Sequence, residues 1–269
     1  MKLVRTVADL RATLSGAWDR GDTIGLVPTM GAFHDGHLAL MGAAREECDL
    51  VVVSLFVNPS QFGPSEDLAR YPRDEARDAA LADLEQVDVL FVPVAGEIYP
   101  AGFDTWVEPG ELGLILEGAI RPGHFRGVAT ICTKLFSLVR PTRAYFGRKD
   151  AQQLAVLKQL VGDLALPVEI RGCPTVRDAD GLALSSRNVF LSPEERVVAL
   201  NLPRALQAGA AAHAAGADAI AAARSLLDAE RGLRVDYVAL ADLDGPTLAA
   251  AVQVGDTRLL DNVLLDRRE

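Results

Sequence analysis

The first part of the chain alternates short apolar runs with segments whose apolar residues recur every three to four positions. Leu10, Leu14 and Trp18 have helical spacing and predict a first helix, with Thr6 as its N-cap and Gly21 beyond its end. Further segments with helical spacing lie at 36–47, 73–86, 128–139 and 154–164. Apolar runs of strand length lie at 23–28, 50–57, 87–92, 143–146 and 168–173. Strands that alternate with helices form βαβ units, so this part predicts a Rossmann-like, doubly wound α/β fold with a parallel sheet.

The pattern changes after about residue 175, where the regular alternation ends. Ser192, Pro193 and Glu195 have the spacing of a helix start with a capping box. An Ala-rich segment predicts one helix over 205–223, and strands are expected at 235–240 and 257–265. We therefore expect a Rossmann-like domain over 1–175 and a smaller C-terminal α+β domain over 176–269.

Charge and composition exclude several classes of protein. The 269 residues include 27 Lys+Arg and 37 Asp+Glu, and the net charge of −10 disfavours DNA or RNA as a partner. No apolar run reaches the roughly 18 residues of a membrane helix, and the N-terminus lacks the apolar core of a signal peptide. Cys48, Cys132 and Cys173 are far apart, which favours free thiols in a reducing compartment. We expect a cytoplasmic protein that binds neither nucleic acid nor membrane.

The most informative motif is P-T-M-G-A-F-H-D-G-H at residues 28–37, between a predicted strand and a predicted helix. Gly31 and Gly36 allow a positive φ or a close approach to the backbone. His34 and His37 are three residues apart, which places both on the first helical turn. Because free N–H groups and the helix dipole at that turn favour anions, we expect a nucleotide phosphate as the ligand.

Two other interpretations of the histidine pair compete with this one. The pair is half of a zinc site in principle, but the chain has only two other histidines, His124 and His213, and no closely spaced cysteine pair. Histidines at this spacing are also often solvated or act only as caps. The order of strand, glycine turn, histidine pair and helix favours a nucleotide site over both.

Several segments, in order, resemble a known family. His34-Asp35-Gly36-His37 resembles the HxGH signature of the nucleotidyltransferase superfamily, which is related to class I aminoacyl-tRNA synthetases. The longer string PTMGAFHDGHLAL resembles the pantothenate synthetase (pantoate–β-alanine ligase) family. The other segments that resemble this family are VNPSQFG (57–63), DLARYPR (67–73), RPGHFRGV (121–128), FGRKDAQQ (146–153), RDADGLALSSRN (177–188) and LLDNVLL (259–265). The resemblance covers nearly the whole chain.

The resemblance implies an ATP-dependent ligase of pantothenate and coenzyme A biosynthesis. In this family ATP and (R)-pantoate form pantoyl adenylate and pyrophosphate, and β-alanine then attacks the adenylate to give pantothenate and AMP. The family also implies a homodimer and Mg²⁺ bound with ATP, although the sequence does not identify the magnesium ligands. Because acyl adenylates hydrolyse easily, a loop at 58–63 or 178–190 is expected to close over the site.

The resemblance also implies the site residues, position by position. His34, His37, Lys149, Ser186 and Arg187 are expected to take part in catalysis at the phosphates. Gln61 and Gln153 are expected to bind pantoate, and Gln61 also β-alanine; their amides both donate and accept hydrogen bonds. The residues expected to bind ATP are Met30, Gly31, His34, Gly36, His37, Gly147, Arg148, Lys149, Asp150, Val176, Leu184, Ser185, Ser186 and Arg187.

The chain departs from the family pattern near the expected nucleotide pocket. Arg148 replaces the usual Glu, Ala151 the usual Tyr and Leu184 the usual Met, while Ala32-Phe33 stands where many relatives have Tyr-Leu. Arg121, His124 and Arg126 form either a cationic cluster or merely a solvated helix start, and both interpretations stay open at this point. Asp150 is also a candidate helix N-cap.

Two other functions remain to be tested against the ligase. A cytidylyl- or adenylyltransferase shares the histidine motif, but it keeps the nucleotide on its product and lacks the two glutamine positions. A noncatalytic nucleotide-binding regulator binds ATP without pantoate-dependent exchange between ATP and pyrophosphate. Product analysis separates all three.

Overall fold

The computed structural model describes residues 1–64 and 67–265. The chain divides into two compact units. Unit 1 consists of Met1–Gly147 and Gln152–Cys173, and unit 2 consists of Arg148–Ala151 and Pro174–Glu269. No helix among the described residues is long and apolar enough to cross a membrane.

Unit 1 contains a six-stranded sheet in which all paired strands are parallel, and this confirms the predicted fold class. The strands are β1 (Lys2–Val4), β2 (Ile24–Thr29), β3 (Leu50–Leu55), β4 (Val89–Phe91), β5 (Arg143–Gly147) and β6 (Glu169–Cys173). Their order in the sheet is β1-β4-β3-β2-β5-β6. The direction of winding reverses between the neighbours β2 and β5, and ligands of such sheets bind beyond the carboxyl ends of the strands at this point.

Five of the helices described in this part of the chain lie where the pattern predicts them, and two four-residue helices, Ala95–Ile98 and Glu117–Ile120, were not predicted. The helices are α1 (Val7–Arg20), α2 (Asp35–Glu47), α3 (Glu75–Leu84), α4 (Ala95–Ile98), α5 (Glu117–Ile120), α6 (His124–Val139) and α7 (Ala151–Asp163). Thr6 caps α1 and Gly21 ends it in the left-handed conformation, as predicted. In β3, Val52 belongs to one hydrophobic cluster and Val51 and Val53 to another. The sheet is therefore covered on both faces, which explains the nearly continuous apolar run of this strand.

Unit 2 combines helices with a small antiparallel sheet. Its helices are α8 (Pro193–Ala199), α9 (Asn201–Ala214) and α10 (Ala219–Asp228), and its strands are β7 (Leu233–Asp242), β8 (Pro246–Val254) and β9 (Thr257–Leu264). The strand order is β7-β8-β9. The predicted capping box at the start of α8 is present, with Ser192 accepting from the Glu195 backbone N–H.

One prediction for this unit was wrong, and one strand was not predicted. The single Ala-rich helix over 205–223 is interrupted, because Gly216 has a φ of 79° and Asp218 starts α10 as an N-cap that accepts from the Ala221 N–H. These two local signals outweigh the helix propensity of the surrounding alanines. The strand β8 was missed because its alanine run favours a helix by propensity, whereas pairing with both neighbouring strands makes it the central strand.

Candidate active site

The chain turns sharply at the carboxyl end of β2. The buried Thr29 hydroxyl donates to the Ser54 carbonyl at 2.7 Å and accepts from the Gly31 N–H at 3.3 Å. Gly31 has a φ of 86°, and a Cβ there would lie 2.9 Å from Asp78 Oδ2. Ala32 follows with a φ of 53°. Glycine is thus required at position 31 both for its conformation and for the space around it.

A buried carboxylate from α3 holds this turn. Asp78 is 1% exposed. Its Oδ2 accepts from the Ala32 N–H at 2.8 Å and its Oδ1 accepts from the Phe33 N–H at 2.8 Å. The neighbouring Arg77 donates to the Phe33 carbonyl at 3.1 Å. Hydrogen bonds to a carboxylate are stronger than neutral ones, so α3 fixes the backbone immediately before the histidine motif.

Asp78 was not among the residues predicted from the sequence. The sequence signal for it was its helical spacing: Asp78 and Ala82 are four positions apart and are the buried residues of α3. An aspartate on the buried face of a helix requires a partner, but the pattern does not indicate which backbone groups supply it.

His34 and His37 lie together at the start of α2. His34 is not in the first helical turn, as the sequence had indicated, but is the extended N-cap of the helix, with a φ of −137°. Its Nδ1 accepts from the Gly36 N–H at 3.2 Å, and His37 Nδ1 accepts from the His34 N–H at 3.4 Å. The two ring centroids are 4.1 Å apart.

These cap bonds determine which ring nitrogen carries the hydrogen. Because each Nδ1 accepts a backbone N–H, the neutral rings of His34 and His37 carry their hydrogens on Nε2. The Gly36 N–H donates to this cap, although a free N–H group for an anion was expected in the first turn. An Nε2–H group of a neutral imidazole is a hydrogen-bond donor.

A second cluster lies beyond the carboxyl end of β3, around the single 3₁₀ turn Pro59–Gln61. Asn58 is 1% exposed, and its Nδ2 donates to Gln61 Oε1 at 2.9 Å. Asn58 Oδ1 accepts from the Tyr99 hydroxyl at 2.8 Å and from the Ser60 hydroxyl at 2.9 Å. Burial raises the pKa of Tyr99, which keeps its hydroxyl protonated as a donor. The Gln61 amide is thereby oriented with its oxygen towards Asn58.

The backbone of Gln61 is held by the 121–128 motif. The Gln61 carbonyl accepts from His124 Nδ1 at 2.9 Å and from Arg121 Nη2 at 3.3 Å, and Arg121 Nη1 lies 3.3 Å from His124 Nε2. Arg121 and His124 are therefore not a solvated helix start. Arg126 is separate from them, since it pairs with Glu108 at 2.6 Å.

Gly127 brings these two motifs into backbone contact. A Cβ at this position would lie 2.3 Å from the Ser60 carbonyl oxygen. We therefore expect Gly127→Ala to lower the free energy of unfolding by about 1–3 kcal/mol and to raise the KM for pantoate. Thermal unfolding and steady-state kinetics measure the two effects. Gly162→Ala in α7 is the matched control, because nothing lies within 4 Å of a Cβ there; equal stability of the two variants would contradict the expectation.

The paired glutamines after β5 have different surroundings. The buried Gln152 accepts from the Glu117 N–H at 3.0 Å and donates to the carbonyls of Leu112 at 2.7 Å and Ile115 at 2.8 Å. Its amide is thus used to hold the segment before α6. Gln153 is only half-buried, and it remains the predicted pantoate ligand of the pair.

Two more of the expected ATP-binding residues, Met30 and Gly147, lie in unit 1. Met30 directly follows β2, and Gly147 is the last residue of β5. Both are therefore at the carboxyl ends of the two strands between which the winding reverses. The remaining candidates lie in unit 2. Arg148–Asp150 forms a single 3₁₀ turn, in which Lys149 Nζ lies 3.4 Å from Asp150 Oδ1. Arg148, which replaces the family's Glu, pairs with Asp244 at 3.1 Å.

The other unit 2 candidates lie on a short hairpin and the turn that follows it. Leu184 N–H donates to the Val176 carbonyl at 3.0 Å, so these two predicted residues are neighbours. Ser185 caps the 3₁₀ turn Ser186–Phe190 by accepting from the Arg187 N–H at 3.3 Å.

The tip of this hairpin is anchored to α8. Arg196 donates to Asp178 at 2.5 Å and to Asp180 at 2.8 Å. The hydrogen bond from Arg196 lowers the pKa of Asp180. The segment that leads to the serine pair is therefore tied to α8 by two charged hydrogen bonds.

Comparisons with known proteins agree with these features. The sequence model described as Pantoate-beta-alanine ligase matches residues 2–264. The chain is 53% identical over 283 residues to the pantothenate synthetase of Roseiflexus sp. (strain RS-1), with 99% of this chain and 100% of the relative covered. It is 53% identical over 280 residues to pantothenate synthetase 1 of Bradyrhizobium diazoefficiens, with 98% of each covered.

Solved structures of the same family have this fold. Pantothenate synthetase from Thermus thermophilus superposes with a TM-score of 0.93 at 49% identity, covering 98% of this chain and 99% of that one. A pantoate-beta-alanine ligase from Francisella tularensis, described as complexed with beta-gamma ATP and beta-alanine, superposes with a TM-score of 0.85 at 35% identity, covering 98% and 97%. The chain therefore belongs to the pantoate-beta-alanine ligase family, whose members are ligases that form an amide bond.

Proposed function

We propose that this chain joins (R)-pantoate to β-alanine through a pantoyl adenylate, with His34 and His37 acting at the α-phosphate of ATP. The observation that carries the proposal is the pair of cap bonds in which the Nδ1 atoms of His34 and His37 accept backbone N–H groups, because these bonds leave Nε2 to carry the ring hydrogen. Two Nε2–H donors at the carboxyl end of β2 suit an anion at the point where the sheet reverses its winding.

The chemistry explains why donors are needed there. A pantoate carboxylate oxygen attacks the α-phosphorus, and the bond from that phosphorus to the pyrophosphate oxygen breaks. Negative charge grows on the α-phosphate oxygens in the transition state, so preorganised donors stabilise it more than they stabilise bound ATP. In the second step the β-alanine amine attacks the acyl carbon and AMP leaves. We assign His37 the additional role of proton donor.

Gln61 and Gln153 are proposed to bind pantoate, and Gln61 also β-alanine. The support for Gln61 is its constrained amide, since Asn58 occupies its oxygen and so directs its NH₂ group to a carboxylate or hydroxyl acceptor. A closed loop at 58–63 or 178–190 is proposed to exclude water from the adenylate.

Gln153→Ala is expected to raise the KM for pantoate about fivefold while changing the KM for ATP less than twofold, because one neutral hydrogen-bonding group of about 1 kcal/mol is lost. Initial rates with each substrate varied in turn measure both constants. Gln159→Ala in the same helix is the control, since the Gln159 amide donates to the exposed Asp163. A larger change in the KM for ATP than in the KM for pantoate would show that Gln153 is not a pantoate ligand.

The ATP contacts in unit 2 are proposed on the resemblance of its motifs. Lys149, Ser186 and Arg187 are assigned to the phosphates, since a lysine, a hydroxyl and a permanent cation are typical phosphate ligands. The remaining proposed contacts are Met30, Gly31, Gly36, Gly147, Arg148, Asp150, Val176, Leu184 and Ser185.

Mg²⁺ is proposed to arrive with ATP. Among residues 1–64 and 67–265 no group of three or more His, Cys, Asp or Glu side chains is arranged to hold a metal ion. Mg²⁺ commonly uses phosphate oxygens and waters with only one or two protein carboxylates, so this chain fits a metal held mainly by the nucleotide. When bound, it neutralises charge on the phosphates.

The protein is further proposed to be a cytoplasmic homodimer whose partners are ATP, (R)-pantoate and β-alanine, with no nucleic acid or membrane. The negative charge and the widely spaced cysteines support this environment. Size measurement in solution tests the dimer.

Pantoate-dependent exchange of labelled pyrophosphate into ATP tests the function. We expect exchange that requires pantoate and does not require β-alanine, since adenylation precedes amide formation. Exchange without pantoate, or a stable nucleotidyl product, would favour a nucleotidyltransferase. ATP binding without any exchange would favour a regulator.

A further inference from the structure

The last strand, β9, contains two adjacent buried polar residues that the proposed function does not use. Asp261 is 2% exposed and Asn262 is 8% exposed. Burying a carboxylate or an amide costs free energy unless its hydrogen bonds are satisfied. The partners of this pair therefore indicate why a buried strand carries it.

Asn262 holds the turn that contains Lys149. Its Nδ2 donates to the Arg148 carbonyl at 2.9 Å and to the Lys149 carbonyl at 2.7 Å. Both hydrogens of one amide are thus used on two consecutive carbonyls. Such a bidentate contact fixes the orientation of both peptide groups in the 148–150 turn.

Asp261 holds the hairpin that leads to the serine pair. Its two oxygens accept from Arg177 Nη1 at 2.6 Å and from Arg177 Nη2 at 3.0 Å. Arg177 Nη1 also lies 3.2 Å from the Gly181 carbonyl at the tip of that hairpin. A bidentate pair with a buried carboxylate is strong and directional, so it sets the position of the segment that ends at Ser185.

The geometry of the strand explains how one dipeptide serves two segments. Successive side chains of a strand point to opposite faces, so Asp261 and Asn262 face different sides of the small sheet. In β8 the residues opposite them are Ala250 and Ala249. These small side chains leave room for the polar groups beside them.

We propose that Asp261 and Asn262 are positioning residues for ATP binding in this protein. Neither is assigned to ATP; Asn262 acts through the backbone of the Lys149 turn, and Asp261 acts through Arg177 on the segment before Ser186 and Arg187. This inference rests on the proposed function, because it assumes that those two segments contact the nucleotide.

The experiment compares two variants with matched controls. Asn262→Ala and Asp261→Asn are expected to raise the KM for ATP in pantoate-dependent exchange about tenfold each, which corresponds to about 1.4 kcal/mol. The KM for pantoate should change less than twofold. Melting temperatures are recorded for every variant, so that loss of stability is measured separately.

The controls remove similar bonds elsewhere in unit 2. Asn201→Ala removes an amide that donates to the Val198 carbonyl at 3.0 Å, and Asp236→Asn changes a carboxylate on β7 that pairs with Arg258 at 2.7 Å. Both controls should lower the melting temperature and leave the ATP constant unchanged. If the β9 variants behave in the same way, the positioning role is wrong.

Smaller substitutions cover the case in which Asn262→Ala does not fold. If Asn262→Ala does not fold, Asn262→Ser and Arg177→Lys probe the same two contacts with smaller changes. A wild-type KM for ATP in both of these variants would overturn the proposal. Absence of exchange in the wild-type protein would contradict the proposed function itself. A normal ATP constant in variants of an active wild type contradicts only the positioning role.

Discussion

His37→Ala is expected to lower kcat by about 10²–10³-fold with little change in stability. The imidazole is proposed to donate from Nε2 to the α-phosphate, where charge grows only as the transition state forms. Loss of such a donor acts on kcat more than on the KM for ATP. Single-turnover formation of pyrophosphate, the product of the adenylation step, measures this chemical step directly.

The control for this variant is His213→Ala, which removes a histidine from the last turn of α9. It should leave kcat within about twofold of the wild type, as expected for a change away from the chemistry. A folded His37→Ala protein that turns over at the wild-type rate would exclude the assigned role. An equal loss in both variants would point to stability rather than chemistry.

Asp78→Asn should have the second large effect, both on stability and on rate. An amide has one acceptor oxygen, so its NH₂ group would face the N–H of either Ala32 or Phe33, each of which now donates to a carboxylate oxygen at 2.8 Å. We expect the free energy of unfolding to fall by about 3 kcal/mol, since a buried, charged hydrogen bond is lost and donors face each other. Displacement of the histidine turn should lower kcat by about 10²-fold.

Denaturant unfolding and steady-state kinetics measure the two effects of this substitution. Asp88→Asn is the matched control, because Asp88 also accepts a backbone N–H, that of Val51, at 2.7 Å. The Asp88 side chain is more exposed than that of Asp78, and the oxygen of an asparagine can retain this hydrogen bond. Wild-type kinetics in Asp78→Asn would show that the histidine turn does not depend on this carboxylate.

The main elements of unit 1 could be predicted because local signals agree with the tertiary structure. The apolar run of β3 is buried on both faces, and Thr6 and Gly21 mark the ends of α1 by their own cap chemistry. The edge strand β1 has only three residues, which is too short to produce a periodic pattern.

The histidine motif could also be found from the sequence, because glycine and histidine spacing carries its own chemistry. The residues that hold this motif and the Lys149 turn in place could not be predicted from the sequence. Asp78 lies 45 residues from Phe33 along the chain, and Asn262 lies 113 residues from Lys149. Contacts of this kind depend on how the elements pack, and no local pattern encodes them. The break after α9 was also missed, since an alanine-rich composition conceals a single left-handed glycine.

In the proposed mechanism a pantoate carboxylate oxygen becomes bonded to the α-phosphorus of ATP. Pantoate labelled with ¹⁸O in its carboxylate is the most direct probe, because β-alanine attacks the acyl carbon and leaves one carboxylate oxygen on the phosphate. Mass spectrometry of the released AMP should find one ¹⁸O atom in each molecule formed. Unlabelled AMP, or label found in inorganic phosphate together with ADP, would contradict the adenylate mechanism.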